Sequence, residues 1–253
     1  MTTQQPVQIA TSFGPTTAGA TRSLLDRWFF VAFAALSIII VAVGFAPTYY
    51  LRGFGTEALP PVLRALPFYL HLHGVALTLW FLLYFVQAVL VANGRRDWHR
   101  SLGIVGVFVG VAVIVTTLIA LLQQASASPV RPPLPPVPFF LNVGGVLETT
   151  VRLTCAVHFR RRPEVHKRLM YLTGVPLVGA ALSRVPGATP FVPLLPLGLL
   201  IALAIRDLVL TRRVHAATVW GGIVLTLVIA GMSVALGQSA LGHAIVDALR
   251  KPG

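Results

Sequence analysis

A pair of arginines followed by a histidine occurs three times in the sequence, each time where one apolar run gives way to the next. The pattern occupies residues 95–103, 161–168 and 212–221. Its histidines are His99, His166 and His215. Neutral imidazole can bind a transition metal or haem iron, and basic residues are typical of the ends of membrane-spanning segments. The repeat therefore predicts one face of a membrane protein at which metal-binding side chains gather.

Two further residues could complete a metal site with these histidines. His158 ends the apolar run before residues 161–168, and Asp207 stands near the end of the run before residues 212–221. If the runs are helices, all five side chains share one depth. A carboxylate can orient or complete a histidine site. The predicted metal ligands are His99, His166, His215 and Asp207, with His158 as a substitute. The alternative is that these histidines only cap the membrane boundary and meet phosphate headgroups.

The elements that must position these residues are membrane helices. Hydrophobic residues make up 56% of the 253-residue chain and charged residues only 11%, so a polar surface could not cover it in water. Seven apolar runs are long enough to cross a hydrocarbon layer of about 30 Å, and none alternates as strands of a membrane barrel do. The runs are 28–51, 66–92, 101–123, 138–158, 168–184, 191–210 and 216–237. They predict an all-α, polytopic bundle of seven transmembrane helices.

Positive charge is distributed unevenly between the two sides of this predicted bundle. Of the 20 Lys and Arg residues, thirteen fall on the side of the N-terminus, six on the other side and one, Arg152, within a predicted span. The N-terminus is therefore predicted to be cytoplasmic. Residues 1–24 are expected to be a disordered cytoplasmic tail, 25–240 the transmembrane domain and 241–253 an extracytoplasmic tail. The net charge of +13 indicates contact with anionic lipid headgroups at the inner face rather than with nucleic acid.

Ionisable and polar residues within the predicted spans suggest a second site. Glu148 and Arg152 are one helical turn apart, a spacing that lets two opposite charges pair in the membrane. His73 and Trp80 lie on one stripe of the second helix, and Asn142 lies at the depth of His73. Two interpretations stay open, an internal strut or a polar cavity that opens outward. The predicted cavity wall comprises His71, His73, Trp80, Asn142, Glu148 and Arg152.

The motifs resemble those of a group of uncharacterised bacterial multi-pass membrane proteins. The shared motifs are His71-x-His73-Gly74, Trp98-His99-Arg100-x-Leu102-Gly103, His166-Lys167-Arg168-Leu169-Met170 and Val214-His215-x-Ala217-Thr218. The resemblance implies a multi-pass fold in the bacterial cytoplasmic membrane. A weaker likeness to di-haem transmembrane cytochromes b implies haem ligands at His73 and His99. Our topology places these two residues at opposite faces, which leaves a single inner haem between two of the four rim histidines.

Two classes of function follow. The first is a redox or metal-dependent membrane protein with haem b or a transition metal at the inner rim, acting on a lipid-soluble or periplasmic small molecule. The second is a cofactor-free module that binds a small molecule or lipid, or serves as a scaffold.

Overall fold

The computed structural model describes residues 17–54, 66–125, 134–185 and 187–250. These residues form helices and short turns, with no strand among them. The helices are α1 (Thr17–Phe45), α2 (Phe68–Ala92), α3 (Arg96–Ala125), α4 (Pro136–His158), α5 (Pro163–Leu182), α6 (Leu194–Thr211), α7 (Ala216–Gln238) and α8 (Ala240–Arg250). The predicted all-α class is confirmed.

A helix lies over each of the seven predicted apolar runs. Five described helices are long and apolar enough to cross a membrane. They are Leu24–Tyr50, which extends α1 through a π-helical turn, and α2, α3, α6 and α7. The chain therefore has the character of a multi-pass membrane protein.

The remaining two long helices, α4 and α5, form the interior of the bundle. α4 packs against α3, α5 and α7, and α5 packs against α1, α4, α6 and α7. Both helices bury polar side chains, among them Glu148 and Arg152 on α4 and Arg168 on α5. These charged residues lower the hydropathy of α4 and α5, but here the bundle surrounds them instead of lipid.

The chain ends differ from the predicted tails. Residues 17–24 are helical, as the first turns of α1, whereas the first sixteen residues lie outside the described part. The C-terminal segment is the helix α8, in which Val246 is fully buried against Phe139 and Phe140. The sequence analysis missed α8 because a single helix of this length is too short to cross the membrane.

Candidate functional site: a basic rim and a buried ion pair

The predicted pair between Glu148 and Arg152 is present in the interior of the bundle. An Arg152 guanidinium nitrogen lies 2.7 Å from Glu148 Oε2, and the two side chains are 1% and 10% exposed. The Thr226 hydroxyl accepts from Arg152 at 2.5 Å and donates to Glu148 Oε2 at 3.3 Å. A charge at this depth is costly alone, so the pairing and its hydrogen bonds are what make it tolerable.

Arg152 also serves two backbone carbonyls in neighbouring helices. It donates to the Leu172 carbonyl of α5 at 3.1 Å and, through Nε, to the Gly221 carbonyl of α7 at 2.8 Å. Residue 176, four positions after Leu172, is a proline and has no N–H to offer. Gly221 lies in the π-helical segment Val219–Val224. In a regular α-helix the Leu225 N–H would donate to the Gly221 carbonyl, but here it donates to the carbonyls of residues 220 and 222. Arg152 thus joins α4, α5 and α7 at two irregular points of their backbones.

The other predicted cavity residues do not join this pair in one cavity. Asn142 is exposed, and its amide donates to the Pro138 carbonyl of its own helix at 2.7 Å. His71 is also exposed, while His73 Nδ1 lies 3.4 Å from the Thr116 hydroxyl. Trp80 is buried, and the gap beside it has no room for a water molecule. These positions fit the internal strut better than the outward-opening cavity, because the two side chains of the pair are only 1% and 10% exposed.

A second polar cluster lies at one end of the bundle. This end is formed by the turns 93–96, 159–162 and 212–215, and we call it the basic rim. At the centre of the cluster is Asp207, a carboxylate with no solvent exposure. Arg168 donates to it at 2.7 and 3.0 Å, and Arg206 at 2.9 Å. The Thr218 hydroxyl adds a bond of 2.6 Å and the His215 backbone N–H one of 3.2 Å. With these donors on its oxygens, Asp207 acts as an anchor for α5, α6 and α7.

The Asp207 cluster continues to α1 through residues that the sequence analysis did not select. Asp26 accepts from Arg206 and, at 2.9 Å, from Lys167. Glu164 bonds to Lys167 at 2.8 Å and to Arg168 at 2.7 Å. Burial alone would raise the pKa of the Glu164 carboxyl, but the bonds from Lys167 and Arg168 outweigh it and hold the pKa below its ordinary value. No sequence signal pointed to Asp26, since it stands more than a hundred residues from its partners.

His99 and His166 approach each other across α3 and α5. Their ring centroids are 6.1 Å apart, with planes at 77°. His166 Nδ1 bonds to the Ala156 carbonyl at 2.8 Å, which assigns its proton to Nδ1 and leaves the Nε2 lone pair available. His99 lies beside the backbone of Gln87, and its Nδ1 is buried without a partner among the described residues. His166 therefore has one ring nitrogen bonded to backbone and one left over, an arrangement common in metal-binding histidines, and His99 offers its unpartnered Nδ1 beside it.

The other predicted ligands have different surroundings. His215 Nδ1 accepts from the Ala217 N–H at 3.0 Å and so caps α7. Burial and the nearby Arg168 guanidinium hold the pKa of His215 below its ordinary value, which suits this neutral acceptor. His158 is exposed at the end of α4. Among the described residues no three His, Cys, Asp or Glu side chains form a group that could hold a metal ion. The predicted four-residue set is therefore not assembled. The rings of His99 and His166 lie together, while His215 contacts Asp207 through its backbone N–H rather than its ring.

Comparison of the chain with protein-family models, with curated proteins and with solved structures finds no match.

Proposed function

We propose that this chain is a seven-span protein of the bacterial cytoplasmic membrane that binds a transition-metal ion between His99 and His166. In this proposal the basic rim faces the cytoplasm and the protein belongs to the redox or metal-dependent class. The observation that carries the proposal is the pair of adjacent imidazoles: His166 is fixed by a backbone hydrogen bond, and His99 has a buried Nδ1 without a partner among the described residues.

The spacing of the two rings suits one ion. Metal–nitrogen bonds to histidine are about 2.0–2.1 Å long, so two imidazoles that share an ion have ring centroids about 5–6.5 Å apart. The observed separation is 6.1 Å. The Gln87 Oε1 atom is buried without a partner among the described residues. It adds an oxygen close to His99, which lies beside the backbone of Gln87. Water or a small-molecule substrate would fill the remaining positions, and haem b is the alternative occupant of the same two histidines.

Metal analysis and a visible spectrum of the purified full-length protein test this proposal. We expect about one zinc, iron or copper ion per chain when cells grow in metal-replete medium, with loss of that metal in H99A and in H166A. H158A is the matched control, because His158 lies at the same rim but is exposed. A Soret band that disappears in H99A and H166A would identify haem b instead. Wild-type protein with neither metal nor haem would overturn the proposal.

The cytoplasmic orientation of the basic rim is supported by the thirteen-to-six distribution of positive residues. Single cysteines at Arg96 and Ser128, in a Cys155→Ala background, can be labelled in intact cells with a reagent that does not cross the membrane. We expect labelling at position 128 and not at 96. The reverse pattern would overturn the topology.

A cofactor-free module is the second candidate, and one observation favours it. In the rim cluster three acidic residues pair with three basic ones. The only buried carboxylate of this cluster, that of Asp207, anchors helices. Such a rim could serve as a scaffold at the membrane surface, with the exposed arginines of the turns bound to anionic headgroups. This candidate predicts that H99A and H166A change neither metal content nor stability more than H158A does.

A further inference from the structure

The helix α8 presents three different surfaces along its length. Gly242 and Val246 are buried against the bundle. Leu241, Ile245 and Leu249 are 64%, 37% and 36% exposed and follow one another at intervals of four residues. His243 and Asp247 are exposed as well and lie on the remaining face. A helix with an apolar edge between a packed face and a polar face is the pattern of helices at a membrane–water boundary.

Both ends of α8 are tied to the bundle, which fixes the direction of the apolar edge. The Ser239 hydroxyl accepts from the Gly242 N–H at 3.0 Å and caps the first turn. At the last turn Arg250 donates to the Leu134 carbonyl, just before α4, at 2.9 Å. The close approach of Gly242 to the Leu236 carbonyl leaves no space for a larger residue there. The edge formed by Leu241, Ile245 and Leu249 therefore cannot turn inward.

The apolar edge lies at the level where α3 ends and α4 begins, opposite the basic rim. Val246 packs with Leu121 and Ala125 from the end of α3 and with Phe139 from the start of α4. Beside them Leu122 and Leu141 are 53% and 43% exposed on the outside of the bundle. Since α3 is long and apolar enough to cross a membrane, lipid is what surrounds these side chains. The apolar edge of α8 continues that surface.

We infer that α8 lies in the interface of the leaflet opposite the basic rim, with Leu241, Ile245 and Leu249 inserted among the upper acyl chains of lipid. His243 and Asp247 face water at the headgroup level. The partner of this surface is the bilayer, and the helix sets the depth of the outer end of the bundle in it.

Site-directed spin labelling tests this inference on the full-length chain in a Cys155→Ala background. Single nitroxide labels are placed at Leu241, Ile245, His243 and Asp247, and the protein is reconstituted in vesicles of phosphatidylethanolamine and phosphatidylglycerol. Collisions with oxygen, which concentrates in lipid, are compared with collisions with a water-soluble nickel chelate. Phe108, 71% exposed on α3, provides the lipid reference, and Arg96 provides the aqueous reference.

We expect labels at 241 and 245 to show an oxygen-to-nickel ratio close to that at 108, and labels at 243 and 247 a ratio close to that at 96. An aqueous ratio at 241 and 245 would overturn the inference. So would low collision rates with both reagents at these positions, because they would indicate a second protein surface. Leu249 serves as a replacement position if a variant at 241 or 245 fails to fold.

Discussion

Arg152 donates a hydrogen bond to the Leu172 carbonyl, the one carbonyl of α5 whose normal helical donor position is occupied by Pro176. A proline in a helix interior costs about 3 kcal/mol, partly because it removes this i→i−4 bond. In the interior of a membrane bundle no water is at hand to replace the bond. A side chain on a different helix does so here, and the same guanidinium serves the Gly221 carbonyl in the π-helical segment of α7. One residue of α4 therefore donates hydrogen bonds to carbonyls at the irregular points of both α5 and α7.

The first prediction concerns how the ion pair between Glu148 and Arg152 contributes to stability. Arg152→Met or Glu148→Gln alone should destabilise the protein strongly, by about 3–5 kcal/mol, because each leaves the other partner without its counter-group. The double variant should lose less than the sum of the two, since it leaves no uncompensated charge. Thermal unfolding in detergent measures all three. If the loss of stability in the double variant equals the sum of the two single losses, the two groups do not interact.

The second prediction concerns Pro176 and the carbonyl that it leaves without a donor. Pro176→Ala should give the Leu172 carbonyl a donor of its own, so Arg152→Met should cost about 1 kcal/mol less in that background than in the wild type. Pro163→Ala is the matched control, because Pro163 stands in the first turn of α5, where a backbone N–H has no helical carbonyl to bond. If Pro163→Ala couples to Arg152→Met as strongly as Pro176→Ala does, the carbonyl is not the link.

The third prediction concerns Asp207. Asp207→Asn should destabilise the bundle by several kcal/mol, about 3–5, because Arg168 and Arg206 would stay buried without their shared carboxylate. Asp97→Asn is the control, since the Asp97 side chain is 98% exposed and its pair with Arg100 is screened by solvent. Urea or heat unfolding in the same detergent compares them. A similar small change in both variants would contradict the anchoring role of Asp207.

Two glycines of α7 give the fourth prediction. A Cβ at Gly237 would lie 2.6 Å from the Val137 Cα, so Gly237→Ala must push α7 away from α4 and should lower the unfolding temperature. A Cβ at Gly231 would meet nothing within 4 Å. Gly231→Ala should therefore be neutral or stabilise the protein by up to about 1 kcal/mol through helix propensity. Equal effects of the two changes would mean that α4 and α7 are not in close contact there.

Local patterns in the sequence were enough to predict the seven long helices and one interaction between side chains. The length and apolar character of each run predict a helix, because backbone groups in lipid must bond within their own segment. The pairing of Glu148 with Arg152 is likewise local, since residues four apart share a helix face whatever surrounds them. Pro176 has no N–H, so the helix that contains it leaves the carbonyl of residue 172 without its usual donor.

The tertiary structure decided which helix face meets which neighbour. Depth alone grouped Asn142 with His73, but packing turns the Asn142 amide outward. Depth also grouped Asp207 with the rim histidines as metal ligands. Its oxygens accept instead from Arg168, Arg206 and Thr218, and its contact with His215 is made through the backbone N–H. The contact between His99 and His166 and the bond from Arg206 to Asp26 join distant parts of the chain. Periodicity fixes the angle of a side chain about its own helix axis, but the rotation of each helix against the others is set by the packing of all of them together.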